Sequence, residues 1–171
     1  MGFFDFLKKS AEPAAPAAPA FPVTLAADAK GTVVAMENIP DEVFAQGILG
    51  KCCGIDPTEG KIYAPADGEI TQAPDSGHAL GSMTTAGVEV LIHVGVDTVE
   101  MKGDGFSPKV KEGDKVKKGD LLLEMDLDKI AAAAHPAVVI TVVTNTDDFK
   151  DVEVVASGAV EPGADLIKIS K

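Results

Sequence analysis

Between Gly87 and Thr98 apolar and polar positions alternate: Val88, Val90, Ile92 and Val94 fall on one side of the pattern, Glu89, Leu91 and His93 on the other. Successive side chains of a strand point to opposite faces, so the alternation predicts a strand with its four β-branched residues inward and His93 outward beside Leu91. Short apolar runs of the same kind recur at Thr32–Met36, Lys61–Tyr63, Gly68–Ile70, Leu121–Met125, Val138–Val143, Val152–Val155 and Leu166–Ile169, punctuated by Gly, Pro, Asn and Asp. Regular short strands with turn signals predict an all-β protein, an antiparallel β-sandwich, with one or two short helices. The helix candidates are Asp41–Gly47, after Pro40, and Asp128–Ala134, where Ile130 and an alanine run follow an acidic cap and stop before His135-Pro136. Two stretches echo each other, Ala27–Val33 and Ala64–Ile70, each an acidic turn, a Gly and a strand. Turn chemistry alone produces such an echo, and so does an ancient duplication.

The ends of this pattern divide the chain into 1–9, 10–22 and 23–171. In the first stretch Phe3, Phe4, Phe6 and Leu7 share one side of a helix and Asp5, Lys8 and Lys9 the other. Such a segment suits a membrane interface, its aromatics sunk and its lysines against anionic headgroups; the alternative is a frayed terminus. From Ser10 to Pro22, prolines 13, 16, 19 and 22 keep a three-residue period in an Ala-rich stretch, the composition of an extended polyproline spacer. The globular domain is expected from Val23 onward.

Charge narrows the classes of partner. The net charge of -12 argues against nucleic acid and for a basic protein partner. The chain has no Arg, so any phosphoryl group must be held by imidazole, backbone N–H or Lys rather than a planar guanidinium clamp. No apolar stretch of membrane-spanning length and no signal peptide is present, which gives an expected cytoplasmic location, peripheral to the membrane's inner face if residues 1–9 bind there. Adjacent Cys52 and Cys53 match neither a zinc spacing nor a separated redox pair and are expected as reduced thiols.

The candidate chemistry is histidine chemistry. His93 precedes Gly95, whose missing side chain admits a ligand or another backbone. Fifteen positions before it, His78 follows the turn signal Ser76-Gly77 and opens the apolar run Ala79-Leu80. If the two segments pair as antiparallel neighbours, the imidazoles meet. A neutral imidazole is a nucleophile near neutral pH, and a second one can donate to the oxygens of whatever is attached. Two such rings suit a phosphohistidine carrier, in which one ring bonds phosphorus while its other nitrogen is fixed by a backbone carbonyl.

At these residues the sequence resembles the glucose-type enzyme IIA family of the bacterial phosphoenolpyruvate-dependent sugar phosphotransferase system, from about Gly31 to Lys171. The resemblance rests on Ala64-Pro65-Ala66-Asp67-Gly68, Gly77-His78-Ala79, Leu91-Ile92-His93-Val94-Gly95-Val96-Asp97-Thr98-Val99 and Lys102-Gly103-Asp104-Gly105-Phe106. It implies a sandwich of the duplicated-hybrid-motif type, His93 as phosphoryl acceptor and His78 as the supporting histidine. Ser76 stands where the family often has a Thr that orients the second ring, and Asp97 matches its acidic residue beside the site. The implied partners are the phosphocarrier protein HPr, the IIB domain of a glucose-type permease, and regulatory targets such as permeases and kinases. Phe44, Ile48, Leu80, Leu91 and Val96 are the expected apolar docking rim. No cofactor is expected. Zinc is expected only in a partner complex, with His78 and His93 sharing it with a partner's carboxylate.

Two rival readings remain. Val110–Lys129 looks like a lipoyl or biotinyl carrier hairpin with Lys129 as the modified residue, although an alanine-rich helical stretch rather than a second strand follows it. The histidine pair with Asp97 also suits a regulatory, metal-assisted binding module. His135 is expected to be structural, since it precedes Pro136 and lacks a companion motif.

Overall fold

A strand buried on one face only reads as alternation, and the strand carrying His93 does so in three dimensions: from Glu89 to Val94 exposed or half-buried residues alternate with buried ones. The computed structural model describes residues 20–171. Its strands are β1 (Val23–Ala26), β2 (Gly31–Val34), β3 (Lys51–Pro57), β4 (Lys61–Tyr63), β5 (Gly68–Gln72), β6 (Ala79–Thr84) and β7 (Glu89–Val94) in the first half. They continue as β8 (Phe106–Pro108), β9 (Lys115–Val116), β10 (Leu121–Met125), β11 (Val139–Val143), β12 (Asp151–Val154), β13 (Ala159–Val160) and β14 (Asp165–Ser170). An eight-stranded sheet in the order β13-β2-β3-β11-β7-β6-β5-β9 shares its core with two three-stranded sheets, β1-β14-β12 and β4-β10-β8. Every pairing is antiparallel. This is the β-sandwich expected from the sequence.

The core joins Ile55, Ile70, Val90, Ile92, Val94 and Val139 of the large sheet to Leu25, Ile62, Leu122, Leu123, Leu166, Ile167 and Ile169 of the smaller ones. A second, smaller cluster covers the opposite face of β3, β11 and β7, where Ile39, Phe44, Cys52, Val96, Val138, Ile140 and Val142 pack together with Leu91 at their margin. Helix α1 (Glu42–Ala45) delivers Phe44 to that layer, and Asp41 caps it by accepting the Val43 N–H at 2.9 Å. Helix α2 (Leu127–Ala132) starts from Asp126, whose carboxylate accepts from Lys129 N–H at 3.1 Å. Both helices lie where the sequence places them, with α2 capped two residues earlier than expected.

The echo between Ala27–Val33 and Ala64–Ile70 extends to the hydrogen bonds. Ala27 donates to Ala164 O at 2.7 Å and accepts from Gly163 N–H at 3.0 Å, while Ala64 donates to Asp120 O at 2.8 Å and accepts from Gly119 N–H at 2.9 Å. The following strands repeat the match, since Gly31 pairs with Val160 and Gly68 with Val116. A repeated set of long-range partners is more than turn chemistry supplies, so the echo is one of structure as well as of sequence.

One acid inside this frame is unusual. Asp28 is fully buried; one carboxylate oxygen accepts from Thr141 Oγ1 at 2.6 Å and the other, Oδ1, has no partner. Burial, partly offset by the Thr141 hydroxyl and its own backbone N–H, raises its pKa from 3.8 to about 6. Cys52 and Cys53 are free and buried, and burial pushes their thiols to about 11 and about 12, so both stay protonated. The interface segment expected at 1–9, and most of the 10–22 spacer, lie outside the described residues. Among the described residues no helix is long and apolar enough to cross a membrane.

Candidate functional site

Register brings the two histidines together. Strands β6 and β7 pair with Ala79 opposite His93, and the Val94 N–H donates to His78 O at 2.7 Å, so His78 lies diagonally across from His93. The rings meet edge to face with centroids 5.2 Å apart. On the neighbouring strand Ile140 pairs with His93, which sets the imidazole on the sheet face covered by α1, with the Phe44 ring 5.0 Å away. The expected meeting of the two imidazoles is therefore present.

Each ring is held by one nitrogen. His93 Nδ1 donates to Gly95 O at 2.8 Å, leaving Nε2 with its lone pair. His78 Nδ1 lies 2.6 Å from Ser76 Oγ; with the hydroxyl as donor, the proton of the neutral ring sits on Nε2. In that arrangement the two rings carry opposite tautomers, one offering a nucleophile and the other a donor. Burial lowers the pKa of both. At His78 the neighbouring His93 lowers it further, whereas at His93 the Gly95 carbonyl, Asp41 and Asp97 pull partly the other way. Both imidazoles are consequently neutral near pH 7.

Gly95 earns its place by conformation: its φ is +78°, and a Cβ there would lie 2.8 Å from Pro136 O. Asp97, exposed, takes a left-handed φ of 60° at the start of the 3-10 turn Thr98–Met101. The expected rim needs correction. Leu80 pairs with Ile92 and is 2% exposed, so it faces the core and is no part of a docking surface. Phe44 and Val96 are also buried, each 6% exposed, as members of the cluster beneath α1, although the Phe44 ring still borders His93. Leu91 is half-buried and Ile48 is 64% exposed, joined by Val43, Leu49 and Val99 as exposed apolar residues on the flanking segments.

The hairpin rival does not fit. Lys129 lies inside α2 with its Nζ 2.8 Å from Asp104, not at a hairpin tip. His135 has no ring at the site and stands 4.0 Å from Glu100. Among the described residues no group of three or more His, Cys, Asp or Glu is arranged to hold a metal ion. The residues passed over in the sequence are Asp41, Cys52 and Thr98. Asp41 caps α1 and offsets part of the lowering that burial imposes on the His93 pKa; the Cys52 thiol donates to Phe44 O at 3.3 Å, tying α1 to β3. An acidic residue just before a helix start was the available signal for Asp41.

Residues 23–149 match the family model described as phosphoenolpyruvate-dependent sugar phosphotransferase system, EIIA 1. The chain belongs to that EIIA family. It is 47% identical over 119 residues to the glucose-specific EIIA component of Halalkalibacterium halodurans, a match covering 70% of this chain and 69% of that protein. A match at 44% identity over 146 residues links it to the β-glucoside-specific EIIBCA component of Dickeya chrysanthemi, covering 85% of this chain but 23% of that longer protein. The glucose permease IIA from Mycoplasma capricolum superposes with a TM-score of 0.78 at 32% identity, covering 85% of this chain and 94% of that one. This EIIA chain is thus a component of a sugar-transporting phosphotransferase system with the family's β-sandwich.

Proposed function

We propose that this EIIA chain takes a phosphoryl group from the phosphohistidine of HPr onto Nε2 of His93 and donates it to the IIB domain of a glucose-type permease. The observation that carries the proposal is the anchoring of both rings through Nδ1, His93 to Gly95 O and His78 to Ser76 Oγ, which leaves both Nε2 atoms free for the phosphoryl group. In the accepting step the Nε2 lone pair of His93 forms a bond to phosphorus as the carrier's N–P bond breaks, and that electron pair returns to the carrier's imidazole. No proton has to move, because Nδ1–H of His93 already rests on a carbonyl. His78 Nε2–H donates to a phosphoryl oxygen, which matters in a chain without Arg. Donation is the reverse displacement, with the IIB side chain as nucleophile.

Docking follows from the same surface. Val43 of α1, Ile48 and Leu49 after it and Val99 of the 3-10 turn offer exposed apolar contact, and a net charge of -12 with Asp41 and Asp97 near His93 suits a basic partner face. The work is cytoplasmic, at the membrane's inner face where a permease presents its IIB domain, with residues 1–9 as an interface contact. A zinc ion would find two imidazole ligands, half of a tetrahedral set, so these residues alone do not hold it and a partner's carboxylate would have to complete the site. Reconstitution with phosphoenolpyruvate, enzyme I and HPr tests the proposal: the native chain takes up label and His93→Ala takes up none. Undiminished labelling of His93→Ala overturns it.

A further inference from the structure

Four polar or charged residues are buried among the described residues, Asp28, Thr84, Thr98 and Thr141. Thr84 accepts the Val88 N–H within its own turn, and Thr141 donates to Asp28. Thr98, with no exposed surface, sends its hydroxyl back to the carbonyl of Val94, the residue that follows His93. Three successive N–H groups leave the same stretch for fixed acceptors: Val94 to His78 O at 2.7 Å, Gly95 to Val138 O at 2.7 Å and Val96 to Pro136 O at 3.1 Å. The Val94 carbonyl, by contrast, is taken by a side chain. A Cβ on Gly95 would lie 2.5 Å from Thr98 Cγ2, so Thr98 is packed directly on the glycine whose carbonyl receives His93 Nδ1–H at 2.8 Å.

From this geometry we infer that Thr98 is a positioning residue for phosphoryl acceptance: its bond to the Val94 carbonyl fixes the Val94–Gly95 peptide, and so holds the Gly95 carbonyl on His93 Nδ1. The Val96 N–H bond to Pro136 O holds the peptide that carries the Gly95 carbonyl from one side, and Thr98 adds the restraint on the other side of a residue with no side chain to limit its own torsions. Without the clamp the neutral ring shares its proton between the two nitrogens, and a ring protonated on Nε2 has no lone pair there to attack phosphorus. Misplacing a reacting atom by even an ångström is enough to slow such a transfer ten- to roughly a hundredfold.

The inference rests on His93 being the acceptor, and its test separates the two. Nitrogen-15 NMR of the imidazoles in the unphosphorylated chain reads the tautomer with no donor protein present. The native chain is expected to carry the His93 proton on Nδ1; Thr98→Val, which keeps the shape and loses the hydroxyl, to show a mixture; Thr98→Ser, which keeps the hydroxyl, to return to Nδ1–H. Acceptance from phospho-HPr then falls at least about tenfold in kcat for Thr98→Val, with KM held because the docking surface is untouched, and recovers in Thr98→Ser. A folded Thr98→Val with a native tautomer overturns the inference, whatever its rate. If the valine variant does not fold, Nε2–H in the native chain or in Thr98→Ser overturns it, and Nδ1–H in both with near-native acceptance by the serine variant supports it. A native chain that HPr never labels defeats the proposed function and leaves the tautomer result standing.

Discussion

Replacing Asp28 by Asn removes a buried charge whose effect on stability the fold allows to be calculated. The carboxyl is fully buried, with Thr141 as its one hydroxyl donor and Oδ1 unpartnered, and its pKa stands at about 6 against an ordinary 3.8. Below pH 3.8 the acid is neutral whether the chain is folded or not, and it costs nothing. As pH rises the unfolded chain releases its proton first, so stability falls, and above about pH 6 the loss is complete. At ~1.4 kcal/mol per tenfold change in the ionisation constant, the full loss is about 3 kcal/mol. Asn keeps an oxygen for Thr141 but places an amide where Oδ1 lies, at a pH-independent cost of about 1–3 kcal/mol. Urea unfolding of native and Asp28→Asn chains from about pH 4 to pH 7.5 reads the difference between them, from which the histidines cancel. That difference should move in favour of the variant by about 2.5 kcal/mol across the range. Parallel curves would refute the reasoning, because they would mean that burial does not raise the pKa of the native acid.

Gly95→Ala forces a left-handed φ on an alanine and drives a Cβ to 2.8 Å from Pro136 O, so it should lose about 2 kcal/mol or more and lower the melting temperature; an unchanged transition contradicts the turn as described. His78→Gln retains a donor but loses the imidazole, so labelled His93 should still form while onward transfer to the IIB domain slows; native-rate transfer from the isolated labelled variant reduces His78 to a bystander. With both histidine pKa values pushed down by burial, acceptance should stay level as pH falls through ~6.5, and a rate already halved there contradicts a neutral His93. The same depression means these two groups contribute stability that is present above about pH 6.5 and is lost as pH falls below it.

What the sequence disclosed and what it hid divide along physical lines. The strand of His93 was legible because β7 is buried on one face by the core and only half-covered on the other, which preserves a period of two. Strand β3 was not: it is buried on both faces, as β11 is, but where β11 shows a continuous β-branched run, β3 has Cys52, Cys53 and Gly54, which carry neither that run nor an alternation. Strands β9 and β13, two residues each, fall below the length any pattern needs. Leu80 was assigned to the wrong face for a related reason. Its polarity was read correctly, but only the register that sets Ala79 opposite His93 decides which of two neighbouring apolar residues turns inward. Asp28 read as a turn acid, and it does follow β1, but nothing local signals that the sandwich closes over it. Thr98 likewise stands inside a motif that drew attention to its histidine, while its own contribution depends on a hydroxyl returning to a carbonyl four residues earlier.

The most direct measurement of the central claim is the position of the phosphoryl group itself. The native chain, loaded from phosphoenolpyruvate through enzyme I and HPr, can be read by phosphorus and nitrogen-15 NMR to identify the bonded nitrogen. Because Nδ1 of His93 is committed to the Gly95 carbonyl, one phosphoramidate is expected, on Nε2 of His93, with His78 unmodified. A phosphoryl group on Nδ1 of His93, or on either nitrogen of His78, would contradict it.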